Sequence, residues 1–237
     1  MNTGVLLYWL PLGAGGHFVR WNGRLYEALA ARRDHRAARD LYHSALEVRL
    51  GTDRYVIEMA PVWSIPDADR GVVRRGPVGA RWLGRSAAFR YEVRRWRMGR
   101  IPDAAEAVDS PRLLSRDVDR AKRLLELVPE VPALIWGRDE LRTGDMWNSN
   151  SLISWLLARS GHDLASVALP AHGRAPGWEA GRILAERQLA RARTRTPRSW
   201  SGGWREGPWN GHKGNHNSKI AECPVLIVRP RAAEEAR

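Results

Sequence analysis

The segment from residue 40 to residue 61 constrains the fold most, because apolar and polar residues alternate on both sides of a glycine turn. Gly51 followed by Thr52 suits a two-residue hairpin loop, in which glycine favours the first central position of a type II′ turn. That loop would set residue 45 opposite residue 58. One face of the hairpin would then be apolar, with Tyr42, Leu46, Val48, Tyr55, Ile57 and Met59. The alternation therefore predicts a β-hairpin with one face in the core.

The opposite face of this hairpin is polar, with His43, Glu47, Arg49, Arg54 and Glu58. In the predicted register His43 and Glu58 are diagonal cross-strand neighbours, roughly 7–8 Å apart at the backbone. An imidazole and a carboxylate in this arrangement can serve as a general base and the group that orients it. The alternative interpretation is a solvated polar face on which the histidine is incidental.

A second informative segment covers residues 146–157. Its apolar residues recur at helical spacing and stop before Gly161, which suits a helix C-cap: Leu152, Ile153, Trp155, Leu156 and Leu157. Asn148 or Asn150 is a good N-cap, which places Ser149 and Ser151 in the first turn. Free backbone N–H groups and the helix dipole favour a developing anion there. The alternative is that these serines and asparagines only cap the helix.

Together the two segments resemble a known family. The motifs are His43-x-Ala45-Leu46, then Tyr55-Val56-Ile57-Glu58-Met59-Ala60-Pro61, and later Asn148-Ser149-Asn150-Ser151-Leu152-Ile153. They resemble the circularly permuted branch of the NlpC-type papain-like superfamily, which includes lecithin:retinol acyltransferase-like and YiiX-like proteins. The match covers two blocks of the chain, and it also resembles an uncharacterised bacterial branch of that superfamily.

The resemblance implies a site in which His43 is the base, Glu58 is the second polar residue and Ser149 occupies the position of the nucleophile. Backbone N–H groups at the start of the helix would hold the oxyanion, with support from Asn148, Asn150 and Ser151. The expected activity is that of a hydrolase or acyltransferase acting on an ester, thioester or amide of a small molecule, lipid or peptide.

The chain departs from the family at the nucleophile, which is normally cysteine. The single cysteine of the sequence, Cys223, lies far away in the C-terminal segment. Serine needs a stronger base than cysteine, because a hydroxyl is not ionised at neutral pH. Two hypotheses therefore stay open: a serine-dependent enzyme, or a catalytically inactive binding module that uses the same cleft for a lipid or peptide.

A third hypothesis follows from charge. The chain has 39 lysine and arginine residues against 26 aspartate and glutamate residues, for a formal net charge of +13. Arginines alternate with aromatic residues between positions 74 and 97: Arg74, Arg75, Arg81, Arg85, Arg90, Arg94, Arg95 and Arg97, with Trp82, Phe89, Tyr91 and Trp96. This pattern is typical of a surface that binds nucleic acid or an anionic membrane. Solvated strand faces with packed aromatic residues are the alternative.

Strand-like and helix-like segments mix without regular alternation, which favours an α+β fold with an antiparallel sheet. Helices are expected over residues 117–128 and 179–193. We expect a papain-like domain over residues 1–193, followed by a low-complexity, disordered tail over residues 194–237.

No cofactor and no metal are expected. His212 and His216 have a metal-like spacing but no companion ligand nearby. Residues 1–12 suggest neither a signal peptide nor a membrane span, so a cytoplasmic protein is expected.

Overall fold

The structure of the protein is a computed structural model that describes residues 3–12, 27, 31–32, 35–62 and 70–195. Within these residues an antiparallel sheet packs with three helices, which confirms the predicted α+β class. The strands are β1 (Gly4–Pro11), β2 (Asp40–Leu50), β3 (Asp53–Pro61), β4 (Val72–Pro77), β5 (Arg90–Arg97), β6 (Val108–Ser115) and β7 (Gly173–Arg174). The helices are α1 (Val118–Leu127), α2 (Ser149–Arg159) and α3 (Trp178–Arg195).

The described residues all belong to one compact unit. The helix expected over residues 179–193 is α3, which begins one residue earlier and continues to Arg195. The predicted tail lies outside the described residues except for its first two positions, so its disorder stays a prediction. Cys223 and the His212 and His216 pair also lie outside the described residues.

In the described part of the chain, the main sheet has the strand order β4-β5-β3-β2-β1-β6, with every neighbouring pair antiparallel. The short β7 adds a parallel pairing at the start of β2, where Asp40 lies opposite Gly173. None of the helices described here combines the length and the apolar composition that crossing a membrane requires. The cytoplasmic location stays a prediction.

The β2–β3 hairpin has the predicted register. Leu50 pairs with Asp53 across the turn and Leu46 pairs with Ile57 further along. Gly51 has a φ of +65°, as the first position of the predicted turn requires. Pairing between these strands ends at Leu46 and Ile57, although both strands continue. Beyond this point β3 pairs only with β5, so a gap opens between β2 and β3.

Alternation along the strands divides the sheet into two faces. The face that we call the helix face carries apolar residues packed in one cluster with α1, α2 and α3: Val5, Leu7, Trp9, Tyr42, Leu46, Val48, Ile57 and Met59. The opposite face, which we call the far face, has a smaller apolar cluster that includes Leu6, Tyr8, Leu10, Ala45 and Val56. The predicted core face of the hairpin is the helix face. The other face, which was predicted to be polar, also contains buried apolar residues.

The helices begin where the sequence provides caps. Asp117 precedes α1 and accepts from the backbone N–H groups of Asp119 at 2.8 Å and Arg120 at 3.1 Å. Asn148 precedes α2, whose residues 149–157 are all buried. Such a helix is enclosed on all sides, so its fit against α3 is tight. A methyl group on Gly181 of α3 would lie only 2.0 Å from Ser151 O.

We expect Gly181→Ala to lower the free energy of unfolding by about 1–3 kcal/mol, because the added methyl group overpacks the α2–α3 contact. Helix propensity alone predicts the opposite sign, a gain of about 1 kcal/mol. Urea unfolding followed by circular dichroism measures the change. The matched control is Ala190→Gly at an exposed position of the same helix, which reports the propensity difference without the steric conflict. A stabilised Gly181→Ala variant would show that α3 is not held this closely.

Candidate functional site

The first turn of α2 is closed by its own polar side chains. Asn148 Oδ1 accepts from the backbone N–H groups of Asn150 at 2.9 Å and Ser151 at 3.3 Å. Ser151 Oγ accepts from the backbone N–H of Asn148 at 3.0 Å and donates to Met146 O at 2.9 Å. This capping box occupies helix N–H donors that an anion would otherwise find free. Asn148 and Ser151 thus act as capping residues in this structure.

Asn150 fills the gap between β2 and β3. Its Nδ2 donates to Tyr42 O and to Pro176 O, both at 2.9 Å. Its Oδ1 accepts from Ser44 Oγ at 2.8 Å. Tyr42 and Ser44 belong to the part of β2 that β3 has left, so Asn150 replaces hydrogen bonds that a paired strand would make. The amide has no donor left for a substrate.

Ser149 is the first residue of α2 and is 4% exposed. Its hydroxyl makes no hydrogen bond with any described residue. Leu152 and Ile153, which lie one turn further on the same side of the helix, are fully buried in the helix-face core. Ser149 is therefore a buried residue at the start of a helix that packs on the helix face of the sheet.

His43 lies on the far face. It pairs with Leu10 in a β1–β2 register that runs without a bulge, and Leu10 and Ala45 belong to the far-face cluster. Its neighbour Ser44 is directed toward α2, as its bond to Asn150 shows. Among the described residues, no hydrogen bond joins His43 to Ser149. Burial lowers the pKa of the His43 imidazole to about 4, so the ring is neutral at pH 7.

Glu58 also lies on the far face, as the alternation predicted, but its partner is an arginine. Its Oε1 accepts from Arg94 Nη1 at 2.7 Å, and Arg94 Nε also donates to Glu92 Oε2 at 3.2 Å. Burial raises the pKa of Glu58, and the neighbouring Arg94 opposes this shift. No hydrogen bond links Glu58 to His43 within the described residues. Glu58 is therefore part of a buried ion-pair cluster with Arg94 and Glu92.

The predicted catalytic residues thus divide between two environments. His43 and Glu58 are on the far face, whereas α2 and Ser149 pack against the helix face. The described contacts contain neither a base–nucleophile bond nor a bond from Glu58 to the imidazole. The assignment of His43, Glu58 and Ser149 as catalytic stays a prediction.

A second candidate site lies in the connection between β4 and β5. A cavity of about 370 Å³ is lined by four arginines, Arg75, Arg81, Arg85 and Arg90, together with Gly76, Pro77 and Gly84. We call it the arginine pocket. The lining comes from β4, from the 3₁₀ turn Trp82–Arg85 and from the start of β5.

The carboxylates near the arginine pocket compensate only part of its charge. Arg75 Nη2 lies 3.1 Å from Glu92 Oε1, and Arg81 Nη2 lies 2.6 Å from Glu140 Oε1. Arg85 makes no ion pair with the residues that the structure describes. Two carboxylates thus pair with two of the four arginines that line the pocket.

The arginines and aromatic residues between positions 74 and 97, which we call the arginine-rich stripe, do not form one continuous surface. Outside the pocket, Arg74 and Arg95 donate to the carbonyls of Pro129 and Leu125, Arg97 pairs with Asp53, and Arg94 joins the far-face cluster. Two aromatic residues of the stripe are exposed: Trp82 at 69% and Phe89 at 44%. Tyr91 is instead fully buried.

Sequence reasoning missed the pocket itself. The glycines and prolines between positions 72 and 84 interrupt the alternation of a strand and give no local signal for a pocket. In the structure, Gly84 packs on Pro77, where a Cβ on the glycine would lie 2.8 Å from Pro77 Cβ. This close approach places the loop against the end of β4, beside the arginines that line the pocket. The pairing of Pro77, Val78 and Gly79 with Trp136 and Phe89 could not be read from local pattern.

No group of three or more His, Cys, Asp or Glu side chains within the described ranges is arranged to hold a metal ion. Comparison of the chain with protein-family models, with curated proteins and with solved structures finds no match. The resemblance to the permuted NlpC-type papain-like superfamily therefore stays a prediction from the two sequence motifs.

The burial of His43 generates a pH prediction. In the unfolded chain the His43 imidazole is protonated near the ordinary histidine pKa of 6.5, whereas in the folded protein its pKa is about 4. Stability that is present above pH 6.5 is therefore lost as the pH falls through this window. We expect a loss of roughly 2 kcal/mol, which is below the value for a completely enclosed ring because His43 keeps some exposure.

The measurement is urea unfolding of the wild type and of His43→Gln at several pH values. Subtracting the two curves of unfolding free energy against pH removes the contribution of other groups that titrate in the same pH range. The control is His172→Asn at an exposed position, where asparagine tolerates the positive φ. A His43→Gln difference that does not change with pH would show that the imidazole is not enclosed.

Proposed function

We propose that this chain binds a phosphate-bearing ligand in the arginine pocket. The observation that carries the proposal is that four arginines line one cavity of about 370 Å³. The planar guanidinium matches two phosphate oxygens with two parallel N–H donors, which makes arginine the preferred residue for such ligands. The cavity lies within the size range of small-ligand sites.

Electrostatics support an anionic ligand. Glu92, the carboxylate beside Arg75, is fully buried and is shared with Arg94 and Arg70. Its charge is spread over three cations, so Arg75 is not fully neutralised. Nε and Nη1 of the buried Arg70 have no hydrogen-bond partner in the described part of the chain. The wall of the pocket near Glu92 is therefore positive, which favours a bound anion.

The arginine pocket is held in shape before a ligand arrives. Arg90 donates from Nε to Gly84 O at 2.5 Å and from Nη2 to Arg85 O at 3.1 Å. Gly79 N donates to Trp136 O at 3.0 Å, which ties the loop to the body of the domain. A preformed site costs less ordering entropy on binding. Arg90 is thus a positioning residue, and Arg85 and Arg81 have their guanidinium groups exposed to solvent.

We expect inorganic pyrophosphate to bind the full chain, with affinity that falls as salt concentration rises. Arg85→Ala should weaken binding about five-fold, since one exposed charge-assisted contact is worth on the order of 1 kcal/mol. Isothermal titration calorimetry measures both effects. The matched control is Arg116→Ala, which removes another exposed arginine outside the pocket. An equal loss of pyrophosphate affinity in both variants would show that the ligand is attracted only non-specifically, by the net charge of the chain.

A second candidate is the serine-dependent hydrolase or acyltransferase that the sequence motifs imply. One observation favours it: the Ser149 hydroxyl has no hydrogen-bond partner among the described residues and lies in the first turn of α2. The neutral His43 could accept a proton if the gap between β2 and β3 brought the ring to Ser149. The bond between Glu58 and Arg94 would have to break for Glu58 to orient that ring.

A fluorophosphonate probe tests this second candidate. Catalysis requires labelling of the wild type that is lost in Ser149→Ala and in His43→Ala. Ser166→Ala, at an exposed serine, should keep full labelling. Mass spectrometry of the intact protein reads the adduct, and circular dichroism verifies folding. A folded wild type without adduct would leave the arginine pocket as the functional site.

A further inference from the structure

Two exposed aromatic rings lie on the same loop as the arginine pocket. Trp82 is 69% exposed and begins the 3₁₀ turn Trp82–Arg85, directly after the pocket residue Arg81. Phe89 is 44% exposed and directly precedes the pocket residue Arg90. A single exposed apolar side chain is common on protein surfaces. Two aromatic residues flanking an arginine-lined cavity form a more specific combination.

The loop that carries these rings is anchored at both ends. Val78 N donates to Phe89 O at 2.8 Å, which closes the base of the loop as a continuation of the β4–β5 pairing. Arg90 holds the carbonyls of Gly84 and Arg85 from inside. Trp82 is thus presented to solvent on a short, hydrogen-bonded turn. A tryptophan on an anchored backbone has only two side-chain torsions to fix, so stacking of a flat ligand costs little entropy.

We propose that the ligand of the arginine pocket is single-stranded nucleic acid, with a phosphate among the arginines and an adjacent base stacked on Trp82. This proposal rests on the phosphate site proposed above and names its ligand class. Proteins that bind single strands combine a positive groove for the backbone with aromatic rings for the bases. In a duplex the bases are already stacked on each other, so the Trp82 contact is open only to an unpaired strand.

An anionic bilayer is the other macromolecular surface that arginine and tryptophan can fit. Bilayer binding draws on charges spread over a protruding surface that meets the headgroups. Here the arginines line one open cavity, which suits a phosphate that can enter it: Arg75, Arg81, Arg85 and Arg90. Residues 86–88 have only small side chains, so Trp82 and Phe89 are the only large exposed apolar side chains that this loop could offer to lipid. The cavity therefore favours a nucleic acid strand.

The test is fluorescence anisotropy of a labelled oligothymidylate with the full chain and its variants. We expect Trp82→Ala to weaken binding about ten-fold, the range found when a base loses its aromatic platform. Trp82→Phe keeps a ring and should recover most of that loss. Leu169→Ala, at another exposed apolar side chain, is the matched control and should bind as the wild type does. Binding should also fall steeply with salt.

A parallel titration with inorganic pyrophosphate separates the two proposals. If Trp82→Ala weakens the oligothymidylate and leaves pyrophosphate binding unchanged, both stand. Suppose that pyrophosphate binds but Trp82→Ala leaves the affinity for the oligothymidylate unchanged. The assignment to nucleic acid is then overturned and the phosphate site remains. The same conclusion follows if a duplex of equal length binds as tightly as the single strand. If neither ligand binds, both are overturned. Tighter, Trp82-dependent binding to phosphatidylserine vesicles would overturn the assignment in favour of a membrane.

Discussion

The side-chain amide of Asn150 is the interaction on which this fold most depends. It is 2% exposed and joins three segments, by donating to Tyr42 O and Pro176 O and accepting from Ser44 Oγ. These bonds satisfy β2 where β3 turns away, and they fasten the first turn of α2 to the sheet. A buried backbone carbonyl without such a partner would cost on the order of 1–3 kcal/mol.

That constraint explains why the most suggestive polar motif of the chain is mainly structural. Asn148, Asn150 and Ser151 have their hydrogen-bonding capacity taken up by the cap, by β2 and by Pro176. Gly177 permits this arrangement, because a Cβ there would lie 2.2 Å from Asn148 Oδ1. Polar residues at a helix start serve as caps far more widely than they serve catalysis. Here the donor and the acceptor of each hydrogen bond are identified. The Ser149 hydroxyl is left unengaged by the described residues.

The far face shows the same principle with charges. Glu58 and Glu92 are buried and share Arg94 as an ion-pair partner, and Arg70 and Arg75 add further cations around Glu92. Buried carboxylates need such partners, because taking an unpaired charge out of water is costly. The excess of guanidinium groups extends to the surface at Arg75, where the arginine pocket begins. One network thus links the stability of the far face with the charge of the pocket.

The sequence by itself determined the hairpin register, the alternation that places His43 and Glu58 on one face, and the start of α1 and α2. These features depend on contacts within a few residues or across one tight turn, so a local pattern carries them. Only the tertiary structure decided that Glu58 would pair with Arg94 and that α2 would pack on the face opposite to His43. It also decided that four arginines would line one cavity. Those outcomes depend on where β3 leaves β2 and on how β5 and the loop before it pair with distant residues such as Trp136. No local periodicity encodes such long-range pairings, because they result from the packing of the whole domain.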